Sequence, residues 1–232
     1  MNTLLLFISI ILVFSALLFI KKFFSAPGII GFMGIATILA NILTCKCINI
    51  FNMETTLGTV MFASNFLSTD ILTECYGIKI ARKGILFSLC ASIGFIITTQ
   101  IALLFIPNNS DIAQNAFITL FTVTPRITLG SIIMFFIANF CDINLYNFLR
   151  EKTHGKYMWL RNNVCTILCN GLENFLFYII AFLGIYDLST IISIAFVCTL
   201  IEIVIALCDT PFLYIATKIK ERELLFDFFS KS

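Results

Sequence analysis

Charge is scarce in this 232-residue chain: Asp, Glu, Lys and Arg make up 12% of it and the formal net charge is +2. A nucleic-acid scaffold concentrates Lys and Arg on an exposed face, whereas here they stand in small groups between apolar runs, so nucleic acid is excluded as a partner. Histidine occurs once, as His154. Cys45 and Cys47 form the one close cysteine pair worth testing, but with His154 far along the chain they give no coherent zinc ligand set, and no metal or cofactor is expected. The nine cysteines, an odd number, fall mostly inside apolar runs, where cysteine packs as a small hydrophobe rather than signalling disulfides. No glycine-lysine loop of the Walker type is present, so the chain does not itself hydrolyse ATP by that route. A membrane enzyme would need a nucleophile with a base beside it or a cluster of metal-binding acids and histidines; neither occurs, and the chain is not expected to be an enzyme.

Apolar residues are what the chain has instead. At 59% hydrophobic and a mean hydropathy of +1.01, it carries more apolar surface than one soluble core of this length could hide. The expected class is an all-α integral membrane protein, multi-pass in the cell's plasma or inner membrane, its surroundings lipid and a small molecule. Windows of about 20 apolar residues, the length needed to cross a bilayer, fall at 2–20, 28–45, 57–77, 84–106, 127–148, 163–185 and 190–216, which predicts a bundle of about seven transmembrane helices. Polar and turn-forming residues between Cys45 and Thr56 and between Pro107 and Pro125 predict two long loops. No soluble domain fits, so 1–232 reads as one transmembrane domain with an extra N-terminal helix over 2–20.

Threading the seven spans alternately puts Lys21, Lys22, Lys79, Arg82, Lys83, Arg150, Lys152, Lys156, Arg161, Lys218, Lys220, Arg222 and Lys231 on one side and only Lys46 and Arg126 on the other. The positive-inside rule makes the richer side cytoplasmic, with the N-terminus outside and the C-terminus inside. The first span lacks a basic leader and is followed by two lysines, the charge order of a retained helix rather than a cleaved signal.

Polar residues inside the spans carry the functional information, because an ionised group at bilayer depth faces a protein interior or a wet cavity. Asp70 and Glu74 are i, i+4; Asn139 and Asp142, and Asn170 and Glu173, are i, i+3; Glu202 and Asp209 are i, i+7. Each pair lies on one helix face. For Glu74, Asp142 and Asp209, near the expected cytoplasmic ends, solvation at the membrane edge is an equal alternative. Asn139, Glu173 and Glu202 fall near mid-span, where lipid exposure would leave them without partners. They are expected to face one another, with Asn170, around a substrate. An interior of amides and acids near Phe135, Phe175, Phe177 and Tyr178 suits a flat ligand with several N–H donors and ring acceptors, such as a purine-like base, although most of the 26 phenylalanines are lipid-facing bulk. Asp70 and Glu74, one turn from Lys79, Arg82 and Lys83, read either as a gate latch hinged at Gly77 and Gly84 or as a static cytoplasmic salt bridge.

The run "ANILTCKCINIFNMETTLGTVMFASNFLSTDILTECYGIKIARKG" (40–84), with Pro125 and Arg126, "DINLYNFLREKTHGKYMWLRNN" (142–163) and "DTPFLY" (209–214), resembles the VUT family of queuosine precursor transporters. The resemblance covers a core of about 28–217. Its most specific element is T-D-I-L-x-E-x-Y-G-x-K-x-A-R, here from Thr69 to Arg82. It implies an integral membrane importer of 7-deazaguanine bases, such as the 7-cyano or 7-aminomethyl form or queuine, used to salvage queuosine for tRNA. From their depth Asn139, Asn170, Glu173 and Glu202 are expected to bind substrate, Glu173 also at the position matching the family's acidic residue, and Asp70, Glu74, Lys79, Arg82, Arg126 and Asp142 are expected to form the gating and structural motif. Three positions depart from the family pattern: Asn139 stands where Gln is common, Glu173 where Asp is, and Ile201 and Glu202 where a Lys often sits. Exchanging a buried cation for an acid alters either the ligand charge the site prefers or the partner of Glu173. Two rivals remain. One is a substrate-capture subunit of an ATPase-driven vitamin or nucleobase importer, docking a partner helix through the small residues Ala36 and Ala40. The other is an integral membrane enzyme. A homo-oligomer or an energising subunit is left open.

Overall fold

Ser25 sets the layout of the chain's beginning. The computed structural model describes residues 2–50, 53–108, 110–121, 125–184 and 187–220. Arg222 and Lys231 lie outside them, as do the side chains of Cys47, Arg126 and Phe135. Helix α1 runs over Asn2–Thr44, broken at Ser25 (φ 51°, ψ −148°) with Pro27 just beyond. An unbroken helix of 43 residues would be ~65 Å long. Yet Asn2 Nδ2 donates to the Asn49 carbonyl, past the far end, at 3.3 Å. The chain therefore doubles back at Ser25, where Pro27 cannot donate to the preceding turn, and α1 is two antiparallel halves. The first buries Leu6, Ile10, Phe14 and Leu17, the second Ile29, Met33, Ala36 and Ala40, each at helical spacing.

After α1 the expected loop is an antiparallel hairpin, β1 (Cys47–Ile50) and β2 (Met53–Thr56), with Cys47 opposite Thr56 and Ile50 opposite Met53. The β-branched residues Ile48, Ile50, Thr55 and Thr56 favour strands, so the architecture is helical with one small ribbon. The helices that follow are α2 (Thr59–Tyr76), α3 (Ile78–Leu103), the short α4 (Gln114–Phe121) within the second expected loop, α5 (Pro125–Lys152), α6 (Met158–Phe182) and α7 (Leu188–Lys218). Only Gly77, at φ 88° and ψ 161°, separates α2 from α3. That region is open to glycine without a Cβ penalty. Lys79, Arg82 and Lys83 consequently lie in the opening turns of α3 rather than in a loop, and Gly84 is inside the helix. A Cβ on Gly84 would stand 2.9 Å from Met33 Sδ and 3.1 Å from Leu72 Cδ1, so Gly84 is a close-packing position and not a hinge.

Side-chain contacts collect the turns at two ends. At one end Lys21 Nζ lies 5.7 Å over the Tyr76 ring, Arg150 Nη1 donates to the Thr73 carbonyl at 3.1 Å, and the Trp159 amide donates to Tyr214 Oη at 3.3 Å. At the other, besides Asn2 and Asn49, Gln100 Nε2 donates to the Phe121 carbonyl at 2.8 Å, and Gly130 sits against Ile180.

Helix α2 touches α1, α3, α5 and α7, and every residue from Thr59 to Thr73 except Met61 and Phe62 is buried. Its Ser64, Ser68, Thr69 and Thr73 hydroxyls donate to carbonyls one turn back, which lets a polar helix sit at the centre of the bundle. Five helical segments, Asn2–Thr44, Ile78–Leu103, Ile132–Lys152, Met158–Ile180 and Leu188–Lys218, are long and apolar enough to cross a membrane among the described residues. Their outward faces carry Leu4, Ile11, Leu86, Phe87, Ile97, Phe196, Leu200 and Leu207, an apolar belt suited to lipid. Ala36 and Ala40, the small residues considered for a partner helix, are fully buried inside the chain.

Candidate functional site

A cavity enclosing about 550 Å³, its open mouth included, lies between α2, α6 and α7 near the hairpin end. Thr44, Thr59, Phe62 and Phe66 form one wall, and Glu173, Asn174, Phe177, Tyr178, Cys198 and Glu202 the other. On α6, Glu173, Asn174, Phe177 and Tyr178 follow at one- and three-residue steps, so one face presents acid, amide and two rings. Asn174 Nδ2 donates to Glu202 Oε2 at 2.8 Å and to Thr199 Oγ1 at 3.3 Å, and the Asn170 side chain also reaches Glu202. Tyr178 Oη and Cys198 Sγ are 3.1 Å apart, and the Phe177 and Tyr178 rings meet edge-on at 5.2 Å. Glu173 and Glu202 are near enough to repel. Among the described residues no Lys, Arg or His lines the cavity, so these side chains present carboxylate acceptors and aromatic faces to whatever enters.

Of the four residues expected to bind substrate, the structure brings Glu173 and Glu202 to the cavity wall and Asn170 against Glu202. Asn139, fully buried on α5, is not among the lining residues. Asn174 was missed by the sequence reading, although it lies one turn beyond Asn170 and on the same stripe.

Beyond the cavity, towards the Tyr76 end, is a layer of acids. Asp70 on α2, Asp142 on α5 and Asp209 on α7 interact electrostatically, and none is more than 1% exposed. Asp142 Oδ2 accepts from Thr69 Oγ1 at 3.2 Å, and Asp209 Oδ1 accepts from Asn162 Nδ2 at 2.7 Å. Asp142 and Asp209 are therefore interior groups, not residues solvated at a membrane edge. Among the described residues no three acid, thiol or imidazole groups are spaced to hold one metal ion.

Glu74 closes the far end. Its Oε2 accepts from Arg161 Nη2 at 2.7 Å and Tyr146 Oη at 3.3 Å, with Arg150 Nε at 3.8 Å. Arg161 is 1% exposed; its Nη1 also donates to the Gly155 and Lys156 carbonyls, and its guanidinium lies 5.3 Å over the Tyr146 ring. The partners of Glu74 thus come from α5 and α6, not from the basic turn after it. Lys79 is exposed, and Arg82 donates to Asn144 Oδ1 at 2.5 Å while lying 5.3 Å over Phe140. From sequence alone Arg161 enters only the charge asymmetry of the loops and Tyr146 only the family motif. A basic residue followed by amides at the mouth of an apolar helix was the available signal.

Residues 56–216 match the sequence model of the family described as "Putative vitamin uptake transporter". The chain is 34% identical over 218 residues, 94% of its length and 95% of the relative's, to a Bacillus subtilis (strain 168) protein named "Probable queuosine precursor transporter". No solved structure matches.

Proposed function

Because this chain belongs to that vitamin uptake transporter family, we propose that it imports queuosine precursors, flat 7-deazaguanine bases, across the cell membrane. The observation that carries the reading is the cavity in which Glu173, Asn174 and Glu202 stand beside Phe62, Phe66, Phe177 and Tyr178. Carboxylates accept from the exocyclic amine and ring N–H of a guanine-like base, amides fix its edge, and rings cover its faces. The Bacillus subtilis relative is named for cargo of this kind.

The chain in this reading is one transporter domain and not an enzyme. Counting the two halves of α1 and the central α2 with α3, α5, α6 and α7 makes seven crossings. The hairpin end faces outside and the end rich in Lys and Arg faces the cytosol, as the positive-inside rule favours. The cavity then lies in the outer half, and the Glu74, Arg161, Arg150 and Tyr146 cluster shuts the inner half. Import requires that cluster to open while the outer walls close, an alternation between two packings. The capture-subunit alternative loses support because Ala36 and Ala40 are occupied internally.

The test is the queuosine content of tRNA in cells unable to make the precursor, with and without this chain, across a panel of supplied bases. Modification restored by at least one 7-deazaguanine is expected. Unmodified tRNA with every base, despite confirmed membrane expression, would defeat the substrate assignment.

A further inference from the structure

The acid layer beneath the cavity is not needed to hold a base, and its chemistry points elsewhere. Asp70 is 1% exposed, and neither of its carboxylate oxygens has a hydrogen-bond partner among the described residues. Asp142 Oδ1 and Asn162 Oδ1, in the same layer, are likewise unpartnered. The orphans on these three residues are acceptors; the buried donors left without a partner among the described residues, Arg161 Nε and Arg82 Nε, belong to side chains whose other nitrogens are bonded elsewhere. An ionised, unpartnered carboxylate in a dry interior is too costly to keep, so a positive species must complete this one.

Among the described residues, the protein's own cations do not. On α6, Arg161 is committed to Glu74 and two backbone carbonyls. On α5, Arg150 bonds the Thr73 carbonyl and stands by Glu74. From α3, Arg82 bonds Asn144, and from α1, Lys21 lies over Tyr76. The remaining charged groups facing Asp70 are Asp142 from α5, Asp209 from α7 and Glu74 on its own helix, with Arg161 the one cation interacting with it. A metal ion would need several ligands converging within about 2.0–2.6 Å, and the spacing of the acids supplies no such set among the described residues. A proton needs one oxygen.

We propose that Asp70, with Asp142 and Asp209, binds the proton that drives substrate accumulation, making this chain a proton-coupled symporter. The layer is placed for that work. Cys169 on α6 interacts electrostatically with Asp70 and Asp142 and with Glu173 of the cavity wall, so a single buried residue stands between the proton site and the cavity. Tyr146 interacts with Asp70 and donates to Glu74, which leads from the acid layer to the inner closure. A proton taken up from outside onto an Asp70 oxygen neutralises that carboxylate and lowers the negative charge of the layer by one. Its release inward, past Tyr146 and Glu74, restores the carboxylate and resets the carrier.

This inference rests on the substrate reading above, and the test separates the two. The purified chain is reconstituted in liposomes with radiolabelled 7-cyano-7-deazaguanine, a neutral base that does not accumulate merely as a weak base. Exchange of labelled for unlabelled base at equal pH reports transport alone, and accumulation under an acid-outside gradient reports coupling. Wild type is expected to accumulate up to about tenfold per pH unit if one proton enters per base, with a sodium gradient at equal pH giving none. Asp70→Asn should bring gradient-driven accumulation down to the level reached without a gradient. Asp70→Glu should restore part of it. Ligand-dependent thermal shift on Asp70→Asn shows that it is folded, and if it is not, Asp209→Asn is read in the same way. Exchange without any response to the pH gradient, a sodium-driven response, or wild-type accumulation by a folded Asp70→Asn overturns the proton site while leaving the transport reading intact. Absence of exchange for every 7-deazaguanine removes the transport reading and with it this one.

Discussion

Glu202→Gln tests whether the cavity chooses its ligand by charge. Glu202 and Glu173 both line the cavity, and among the described residues no cationic side chain does. A 7-aminomethyl base, which carries an ammonium, would therefore meet two carboxylates, whereas the 7-cyano base offers only neutral donors. Gln keeps an oxygen that can accept the 2.8 Å bond from Asn174 Nδ2, so the shape and that bond survive while the charge and one acceptor oxygen are lost. A hydrogen bond to a charged group is worth about 1.5–3 kcal/mol and a neutral one about 0.5–1.5. The difference, roughly 1–2 kcal/mol, converts to about a five- to thirtyfold change in relative affinity. Titration calorimetry of both bases on the purified variant should show the aminomethyl base weakened by that factor relative to the cyano base. Equal weakening of both, or selective loss of the cyano base, refutes charge selection by Glu202.

Glu173→Gln places a donor against a donor of the base and should weaken binding by roughly 1–3 kcal/mol, about five- to 150-fold; normal affinity would remove Glu173 from the site. Arg161→Met strands Glu74, but Arg150 at 3.8 Å and partial solvent access soften the loss. Stability should fall by about 2–3 kcal/mol, below the range for a fully buried pair, read as a lower melting temperature, and an unchanged melting temperature would show that the pair does not hold the inner closure. Gly58→Ala would push a methyl against Thr44 Oγ1 and to 2.7 Å from the Ala40 carbonyl oxygen, at a cost of about 1–3 kcal/mol in thermal unfolding. In a background with native cysteines replaced, an impermeant thiol reagent should label cysteines placed at Asn108 or Asp187 in intact cells. Cysteines at Gly155 or Glu221 should be labelled only after permeabilisation, and the reverse pattern inverts the topology.

Hydropathy located most of the helices because lipid-facing residues such as Leu86, Phe87, Phe196 and Leu200 must be apolar whatever the fold. It misjudged the boundary at Lys79, Arg82 and Lys83, where charge suggested a loop but only Gly77 breaks the backbone. It also missed the hairpin, because eight residues of strand are too short to show a period of two against apolar surroundings. The site was half legible. Glu173 and Glu202 stood out as acids in mid-span, and the structure lines the cavity with both. Asn174 was hidden because depth says which residues are costly but not which neighbour reaches across to α7. The sequence pairs Asp70 with Glu74 as a latch or salt bridge beside a basic turn. The burial of Asp70 follows from α2 running through the middle of the bundle, a tertiary arrangement that no local pattern announces.

The central claim, that this chain alone carries 7-deazaguanine bases, is tested most directly by exchange in liposomes containing only the purified chain. Labelled base inside should leave in a saturable way when unlabelled 7-deazaguanine is supplied outside, and adenine should not replace it. No exchange above protein-free liposomes, from folded protein that binds the base, would contradict the account and leave a capture protein in place of a carrier.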